Sequence, residues 1–196
     1  SLGFRGAFRY IHDPQVFKLE LEAIKMVREK LNLNNLSLML PYVRTVRELE
    51  EVKKIISASG LRRSGTFKLF IMAEIPSNVI LIDAFINAGI DGVSIGTNDL
   101  TMLILGTDRD NQEVSSEFDE RNPAVLWAIK KVIDACKKNK IDVSICGGAP
   151  SVFPGMIEEL VKWGINSISV FPDAIDDARR IIYFQEKRMS GMQITE

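Results

Sequence analysis

Two acidic side chains come directly after, or close behind, apolar segments of the kind that form buried strands. Glu74 follows the segment 67–73, and Asp99 follows the segment 91–96. Neighbouring parallel strands lie about 4.8 Å apart, so side chains at their carboxyl ends can meet. Two carboxylates, with substrate oxygens and water, suit a hard cation, and we therefore predict that Glu74 and Asp99 bind Mg2+ or Mn2+. Either residue taken alone is equally well explained as a helix cap or a surface charge.

An amide and two arginines add anion-binding groups. Asn98 stands directly before Asp99, and Arg109 lies in the polar segment 98–121, which is longer than most strand-to-helix connections. Arginine binds phosphate or carboxylate oxygens through two parallel hydrogen bonds. A carboxylate, an amide and a guanidinium behind one strand predict a site for a metal-bound anionic substrate. Arg5 is a weaker candidate, because an ordinary surface arginine explains it as well.

Cys146 is a candidate for proton transfer because it ends a predicted strand and precedes Gly147 and Gly148. A thiol at such a strand end can exchange a proton near neutral pH if its surroundings adjust its pKa. The alternative is a small buried hydrophobic side chain, which is also how we interpret Cys136 on a helical apolar stripe. The single histidine, His12, gives no support for a Ser-His-Asp or Cys-His triad and rules out a histidine-based metal site.

Apolar segments alternate with amphipathic ones along the chain. The strands are almost continuously apolar, as in sheets covered on both faces, and their alternation with helices predicts parallel strands joined by right-handed crossovers. Strands are predicted at 36–43, 67–73, 91–96, 142–146 and 168–171. Helices are predicted to begin at Asp13, Thr45, Ser77, Asn122 and Asp173, with a short further helix at 158–163.

Two α/β architectures fit this order: an open doubly wound sheet and a (β/α)8 TIM barrel. No glycine-rich phosphate-binding loop follows the first strand, which weakens the doubly wound alternative. Polar residues instead recur just after successive strand ends, and TIM barrels carry their chemistry there. We therefore predict a TIM barrel whose first part is missing, because only five strands are visible in the sequence.

Length and composition describe one ordinary globular domain covering residues 1–196. The chain has 46% apolar and 26% charged residues and a net charge of −1, so no overall field points to nucleic acid or an anionic membrane. No segment approaches the ~20 apolar residues of a membrane span, and no signal-peptide pattern opens the chain. Two cysteines are too few for a disulfide framework, and a reducing, cytoplasmic location is the expectation.

Seven motifs occur in order along the chain: GFRG at 3–6, MLPYVRT at 39–45, AEIPSN at 73–78, SIGTNDLT at 94–101, GTDRD at 106–110, FDERNP at 118–123 and ICG at 145–147. They resemble those of the PEP-utilising enzyme family, which includes phosphoenolpyruvate (PEP) synthase, pyruvate phosphate dikinase and enzyme I of the bacterial sugar phosphotransferase system. The resemblance covers residues 1–185 and is to the C-terminal, PEP/pyruvate-binding domain. The PSN, VRT and FDER segments favour the synthase branch.

The resemblance implies a fold, a ligand and a set of site residues. In that family the domain is a (β/α)8 barrel that binds pyruvate or PEP with Mg2+, so the strands seen here would be the last five βα units of a truncated barrel. The residues carried over by motif are, for the metal, Glu74 and Asp99; for phosphoryl and enolate oxygens, Arg5, Asn98 and Arg109; and, for acid/base catalysis at the methyl carbon of pyruvate, Cys146.

The resemblance also implies partners. A phosphohistidine on a separate domain delivers the phosphoryl group after ATP has charged it on a third domain, and the overall reaction is ATP, pyruvate and water to AMP, PEP and phosphate. Residues 1–196 contain neither an ATP-binding nor a phosphohistidine motif, so we expect no synthase activity from them alone. Family members dimerise through this domain, which predicts a homo-oligomer.

Two positions depart from the family pattern, and two other functions stay open. Gly148 stands where the family usually has Gln or Glu, and Val152 stands where an acidic residue is usual, which removes expected support for Cys146.

One alternative function is a non-catalytic dimerisation or assembly module of such an enzyme. The other is a different Mg2+-dependent barrel acting on pyruvate, such as a citrate-lyase-like lyase, although the motifs around Asn98 and Cys146 argue against it.

Overall fold

A parallel five-stranded sheet runs through the molecule, with its strands side by side in chain order. The computed structural model describes residues 2–191. Each crossover joins neighbouring parallel strands, which confirms the predicted α/β class. The strands are β1 Leu38–Leu40, β2 Leu69–Ala73, β3 Gly92–Gly96, β4 Asp142–Cys146 and β5 Ser167–Ile168.

Helices precede, connect and follow the strands. A π-helical turn, Met26–Lys30, follows the second helix, and 3-10 turns lie at Ser115–Glu117 and Pro172–Ala174. Within residues 2–191, no helix combines the length and the apolar character that crossing a bilayer requires. The α-helices are α1 Ala7–His12, α2 Pro14–Lys25, α3 Val46–Ala58, α4 Pro76–Ile80, α5 Ile82–Asn87, α6 Thr97–Leu105, α7 Pro123–Lys138, α8 Ala149–Val152, α9 Pro154–Trp163 and α10 Ile175–Ser190.

The centre of the sheet is the most deeply buried part of the fold. Every residue of β3 is buried, and α7 packs against both β3 and β4 with an apolar face that includes Val125, Ile129 and Val132. Continuous burial explains why the sequence of these strands is apolar without a polar alternation. Strands held in this way provide a rigid support for whatever follows them.

The three central strands end at the same edge of the sheet. Ala73 pairs with Ile95 across β2 and β3, and Gly96 pairs with Cys146 across β3 and β4. Residues that follow β2 and β3, together with the last residue of β4, therefore lie next to one another. The register brings together segments that are more than 70 residues apart in the sequence, since Ala73 ends β2 and Cys146 ends β4, on either side of β3.

Strand β1 is shorter than the sequence pattern predicts. The apolar run continues to Val43, but the strand ends at Leu40. Pro41 has no N–H to donate, and Tyr42 adopts the left-handed region with φ of 49°. The chain therefore turns away from the sheet at Pro41. The last strand also differs, since β5 covers Ser167–Ile168 rather than 168–171.

The prediction that 98–121 is only a polar connection is wrong for its first part. Residues Thr97–Leu105 form helix α6, which ends at Gly106 with φ of 62°. Leu100 and Met102 are buried, so packing against the core stabilises a helix that the polar residues around it obscured. Asn98 and Asp99 consequently lie in the first turn of a helix. The helix predicted from Ser77 is likewise two helices, α4 and α5, which meet at Leu81.

Candidate functional site

Glu74 is held at the carboxyl end of β2 by its neighbours. Its side chain is 4% exposed, and its Oε1 accepts a hydrogen bond of 2.6 Å from the backbone N–H of Tyr42. Asn78 Oδ1 accepts from the backbone N–H groups of Glu74 and Ile75 at 3.3 and 3.1 Å. The same amide donates to the carbonyl of Val43 at 2.7 Å, so it fastens this strand end to the turn after β1.

Burial gives the Glu74 carboxyl unusual acid–base properties. Loss of solvent raises its pKa above the ordinary value, the hydrogen bond from Tyr42 opposes this, and the nearby charge of Asp99 raises the pKa further. A Cβ atom at Gly96 would lie 2.9 Å from Glu74 Oε2, closer than real contacts allow. The absence of a side chain at position 96 therefore leaves room for the second carboxylate oxygen of Glu74.

Arg5 and Asp99 form a two-pronged ion pair beside Glu74. The Nη1 and Nη2 atoms of Arg5 donate to the two carboxylate oxygens of Asp99 at 2.8 and 3.1 Å. The guanidinium also stacks over the ring of Tyr42, 4.1 Å from its centroid. Asp99 lies in the first turn of α6, where the helix dipole favours a negative charge. The bond to Asp99 raises the pKa of Arg5, so the guanidinium keeps its charge.

Arg44 supports this arrangement from behind. Its guanidinium donates to the backbone carbonyls of Gly3 and Arg5 and lies 4.7 Å from the centroid of the Tyr42 ring. The segment that carries Arg5 is therefore tied to the turn after β1. This explains how a residue near the start of the chain reaches a site built by β2 and β3.

Asn98 and Arg109 form a second, adjoining part of the site. In the amide orientation that satisfies both neighbours, Asn98 Oδ1 accepts from Arg109 Nη1 at 3.1 Å and Asn98 Nδ2 donates to Glu120 Oε1 at 3.3 Å. Glu120 is 7% exposed, and burial raises its pKa, while hydrogen bonds from the Thr97 side chain and the Ala149 backbone oppose the rise. Arg109 reaches the site through Asn98.

Cys146 completes the site from β4. Ser94 Oγ on β3 donates to the Cys146 sulfur at 3.6 Å. Burial raises the pKa of this thiol, the Ser94 hydrogen bond opposes the rise, and the charge of Glu74 adds to it. The thiol is therefore protonated at neutral pH. Ser94 is the side chain that supports the thiol. Val152, which stands where the family usually has an acidic residue, is 58% exposed.

The turn after Cys146 depends on glycine. Gly147 has φ of 112°, and a Cβ atom there would lie 2.1 Å from Thr97 Oγ1. Thr97 in turn donates to the carbonyl of Cys146 at 3.3 Å. The close approach of α6 to the end of β4 therefore requires the absence of a side chain at position 147.

A groove of about 340 Å³ lies beside Asn98 and Arg109. It is lined by Asn98, Arg109, Gly147, Gly148 and residues 169–171. Arg109 is the charged residue of this lining, and a guanidinium binds phosphate or carboxylate oxygens.

Glu74 and Asp99 are the predicted Mg2+ ligands, and residues 2–191 contain no group of three or more His, Cys, Asp and Glu side chains arranged for a metal. Mg2+ is usually bound by one or two protein carboxylates and completes its shell with water and substrate oxygens. The two carboxylates are close enough for Asp99 to raise the pKa of Glu74, and Arg5 already places a positive charge against Asp99. Two carboxylates are a donor set that a hard divalent cation accepts, and Arg5 would have to release an Asp99 oxygen for the metal.

Sequence reasoning proposed these six side chains and overlooked the residues that contact them. Tyr42, Ser94 and Glu120 each contact a predicted site residue. All three stand inside the motifs at 39–45, 94–101 and 118–123, and membership of these motifs is the signal that could have identified them. What those motifs do not state is which side chain each residue contacts.

Curated relatives of the chain are phosphoenolpyruvate synthases. It is 49% identical over 192 residues to the probable phosphoenolpyruvate synthase of Staphylothermus marinus, covering 96% of this chain and 23% of that protein. It is 48% identical over 199 residues to the phosphoenolpyruvate synthase of Aeropyrum pernix, covering 100% and 24%. The enzyme of Helicobacter pylori is 43% identical over 198 residues, again covering 100% and 24%. The chain thus spans about a quarter of the length of these relatives.

Solved structures share the fold at low sequence identity. RipC from Yersinia pestis superposes with a TM-score of 0.57 at 15% identity, covering 83% of this chain and 70% of that one. An HpcH/HpaI aldolase/citrate lyase family protein from Burkholderia cenocepacia gives 0.53 at 16% identity, covering 78% and 65%. These neighbours are TIM-barrel proteins, which supports the prediction of a truncated barrel. At such identity the likeness concerns the fold alone.

The family model for the PEP-binding domain of PEP-utilising enzymes matches residues 1–186. This match covers all the residues assembled at the carboxyl ends of β2, β3 and β4, and it confirms the resemblance that the seven motifs indicated. The chain therefore belongs to the PEP-utilising enzyme family, of which it contains the PEP-binding domain.

Proposed function

We propose that this chain is the pyruvate/PEP-binding part of a phosphoenolpyruvate synthase. In the reaction envisaged, the enolate of pyruvate accepts a phosphoryl group from a phosphohistidine that ATP has charged elsewhere in the full-length enzyme. The observation that carries the proposal is the Arg5–Asp99 ion pair beside buried Glu74, one strand away from the thiol of Cys146. Acidic, cationic and proton-transferring groups thus share one edge of the sheet.

The charged residues would bind and orient the anion. Arg109 faces the groove and offers its remaining N–H groups to phosphoryl or carboxylate oxygens, while Asn98 keeps its guanidinium in place. Glu74 and Asp99 would hold Mg2+, which when bound polarises the carbonyl and carboxylate oxygens of pyruvate as a Lewis acid. Catalysis of phosphoryl transfer depends mainly on such positioning and charge stabilisation.

Cys146 would move the proton at the methyl carbon of pyruvate. The buried, protonated thiol is suited to donate its proton to that carbon when PEP is converted to pyruvate. In the opposite direction the thiolate takes the proton, and the Ser94 hydroxyl stabilises the thiolate by donating to its sulfur. The free cysteines also support a cytoplasmic location for the enzyme.

Replacing Asp99 with alanine tests the proposal directly in the full-length enzyme. We expect Asp99→Ala to abolish Mg2+-dependent binding of oxalate, a mimic of the pyruvate enolate, because it removes a metal ligand and frees Arg5 from its ion pair. Isothermal titration with and without Mg2+ measures this. Asp177→Ala, which breaks only an exposed pair with Arg180, is the matched control. Unchanged oxalate affinity in Asp99→Ala would contradict the assigned site.

Homo-oligomerisation through this domain is a second part of the proposal. Large apolar side chains are exposed on the neighbouring helices α4 and α7: Ile80 is 68% and Trp127 is 62% exposed, and Leu81 at the end of α4 is 52% exposed. An apolar surface of this kind favours contact with another protein surface. Light scattering of the full-length enzyme should give a mass above that of one chain, and Trp127→Glu should lower it. A monomeric wild-type enzyme would contradict this part alone.

A further inference from the structure

Glu120 is a buried carboxylate to which the proposed reaction assigns no role. It lies in the connection between α6 and α7 and is 7% exposed. Asn98 donates to it through its amide at 3.3 Å, and the nearby polar groups of Thr97 and of the Ala149 backbone oppose the rise in its pKa. Glu120 thus contacts the first turn of α6, which borders the groove through Asn98.

The hydrogen bonds of Glu120 determine which way the amide of Asn98 points. A carboxylate only accepts hydrogen bonds, so it can contact only the NH2 end of an amide. With Nδ2 of Asn98 bound to Glu120 at 3.3 Å, Oδ1 is directed to Arg109 Nη1 at 3.1 Å. Without the carboxylate, the amide can turn around and present its NH2 group to a guanidinium that has only donors. That orientation would repel Arg109.

Arg109 depends on this contact because its other anchor is weak. The guanidinium is half-exposed, and its Nε lies 3.7 Å from Asp110, whose side chain is 83% exposed. An exposed pair at such a distance contributes little. Asn98, in contrast, lies in the first turn of α6, which begins directly after the buried strand β3.

We propose that Glu120 is a positioning residue that orients the Asn98 amide and, through it, holds Arg109 against the phosphoryl or carboxylate group of the bound anion. The inference rests on the proposed function, since that function supplies the anion. Glu120 itself does not touch the ligand. Its effect should therefore appear in substrate affinity and should pass through Asn98.

The test uses the full-length enzyme and measures KM for PEP and kcat in the pyruvate-forming direction, with oxalate titration as a binding readout. Loss of a hydrogen bond to a charged group predicts that Glu120→Ala raises KM about 10-fold or more while changing kcat far less. Glu120→Gln keeps an acceptor oxygen for the Asn98 amide, so it should recover much of the affinity. Asp119→Ala is the matched control, because Asp119 stands next in the chain and pairs with Arg121 at the surface.

A double-mutant comparison separates positioning from a general effect on folding. In an Asn98→Ala background the amide that Glu120 orients is absent, so adding Glu120→Ala should change KM little further. An equal loss in both backgrounds, or wild-type affinity in Glu120→Ala while Arg109→Ala binds poorly, would overturn the inference and leave the proposed function intact. If the wild-type enzyme binds neither PEP nor oxalate, the proposed function and this inference both fail.

Discussion

Cys146→Ala in the full-length enzyme is expected to stop the exchange of the methyl protons of pyruvate with solvent while leaving oxalate binding close to wild type. General acid–base catalysis by a positioned side chain contributes about 100- to 10,000-fold, and a loss in this range is expected here. The thiol lies at the end of β4 beside Ser94. The proposal assigns anion binding to other side chains, so oxalate should still bind when the thiol is removed. Incubating pyruvate in D2O and following the methyl signal by NMR measures the exchange.

The pH dependence of the exchange provides an independent check on the same residue. Proton abstraction needs the thiolate, and burial raises the pKa of Cys146 above the ordinary thiol value. The exchange rate should therefore rise with pH through the neutral range and level off only above that raised pKa. A rate that is already constant at neutral pH would indicate a different base.

Cys136→Ala is the matched control for this experiment. Cys136 is also buried, its pKa is raised to about 12, and it lies on the core face of α7. Its replacement should lower the thermal stability slightly and leave proton exchange unchanged. Exchange that persists in Cys146→Ala, or disappears in Cys136→Ala, would assign the proton transfer elsewhere.

Glu74→Gln is expected to abolish Mg2+-dependent oxalate binding and, at the same time, to raise the thermal stability at neutral pH. The glutamine removes a metal-binding charge, yet its Oε1 can still accept the hydrogen bond from the Tyr42 backbone. It also removes a buried negative charge that lies near Asp99. A gain of about 0.5 to 2 kcal/mol is typical when a functional but unfavourable group is relieved, and each kcal/mol raises Tm by about 2 to 4 °C in a domain of this size.

The sign of this stability change follows from the raised pKa of Glu74. A carboxyl whose pKa is higher in the folded than in the unfolded state binds its proton more tightly when folded. Its stabilising contribution is complete below the unfolded pKa and is lost as the pH rises through the folded pKa. The advantage of Glu74→Gln should thus be largest at neutral pH and should shrink in acid.

Thermal unfolding from pH 7 downward, with oxalate titration at pH 7, measures both effects of Glu74→Gln. Glu51→Gln is the control, since Glu51 only pairs with Arg47 on the surface of α3 and should affect neither property. A Glu74→Gln enzyme that binds oxalate with Mg2+ as well as wild type would refute the metal assignment. A variant less stable than wild type at neutral pH would show that the buried charge is compensated by its neighbours.

Several parts of the fold follow directly from local sequence. Strand β4 has the predicted bounds, and β3 differs by one residue, because both are short apolar segments enclosed by turn residues. Helices α3 and α7 begin where Thr45 and Asn122 were predicted to cap them, and each cap accepts its backbone hydrogen bond. Helix α6 was missed, since burial of Leu100 and Met102 stabilises it and no local pattern shows that burial.

The sequence by itself determined which side chains stand at the strand ends: Glu74, Asn98, Asp99 and Cys146 are positioned there by the order of apolar segments alone. Only the tertiary structure decided what each of them contacts. Arg5 meets Asp99 across 94 residues, and Glu120, in the connection between α6 and α7, meets Asn98. Such pairings depend on where the chain returns and on how an acceptor and a donor face each other, and neither the composition nor the spacing of residues contains that geometry.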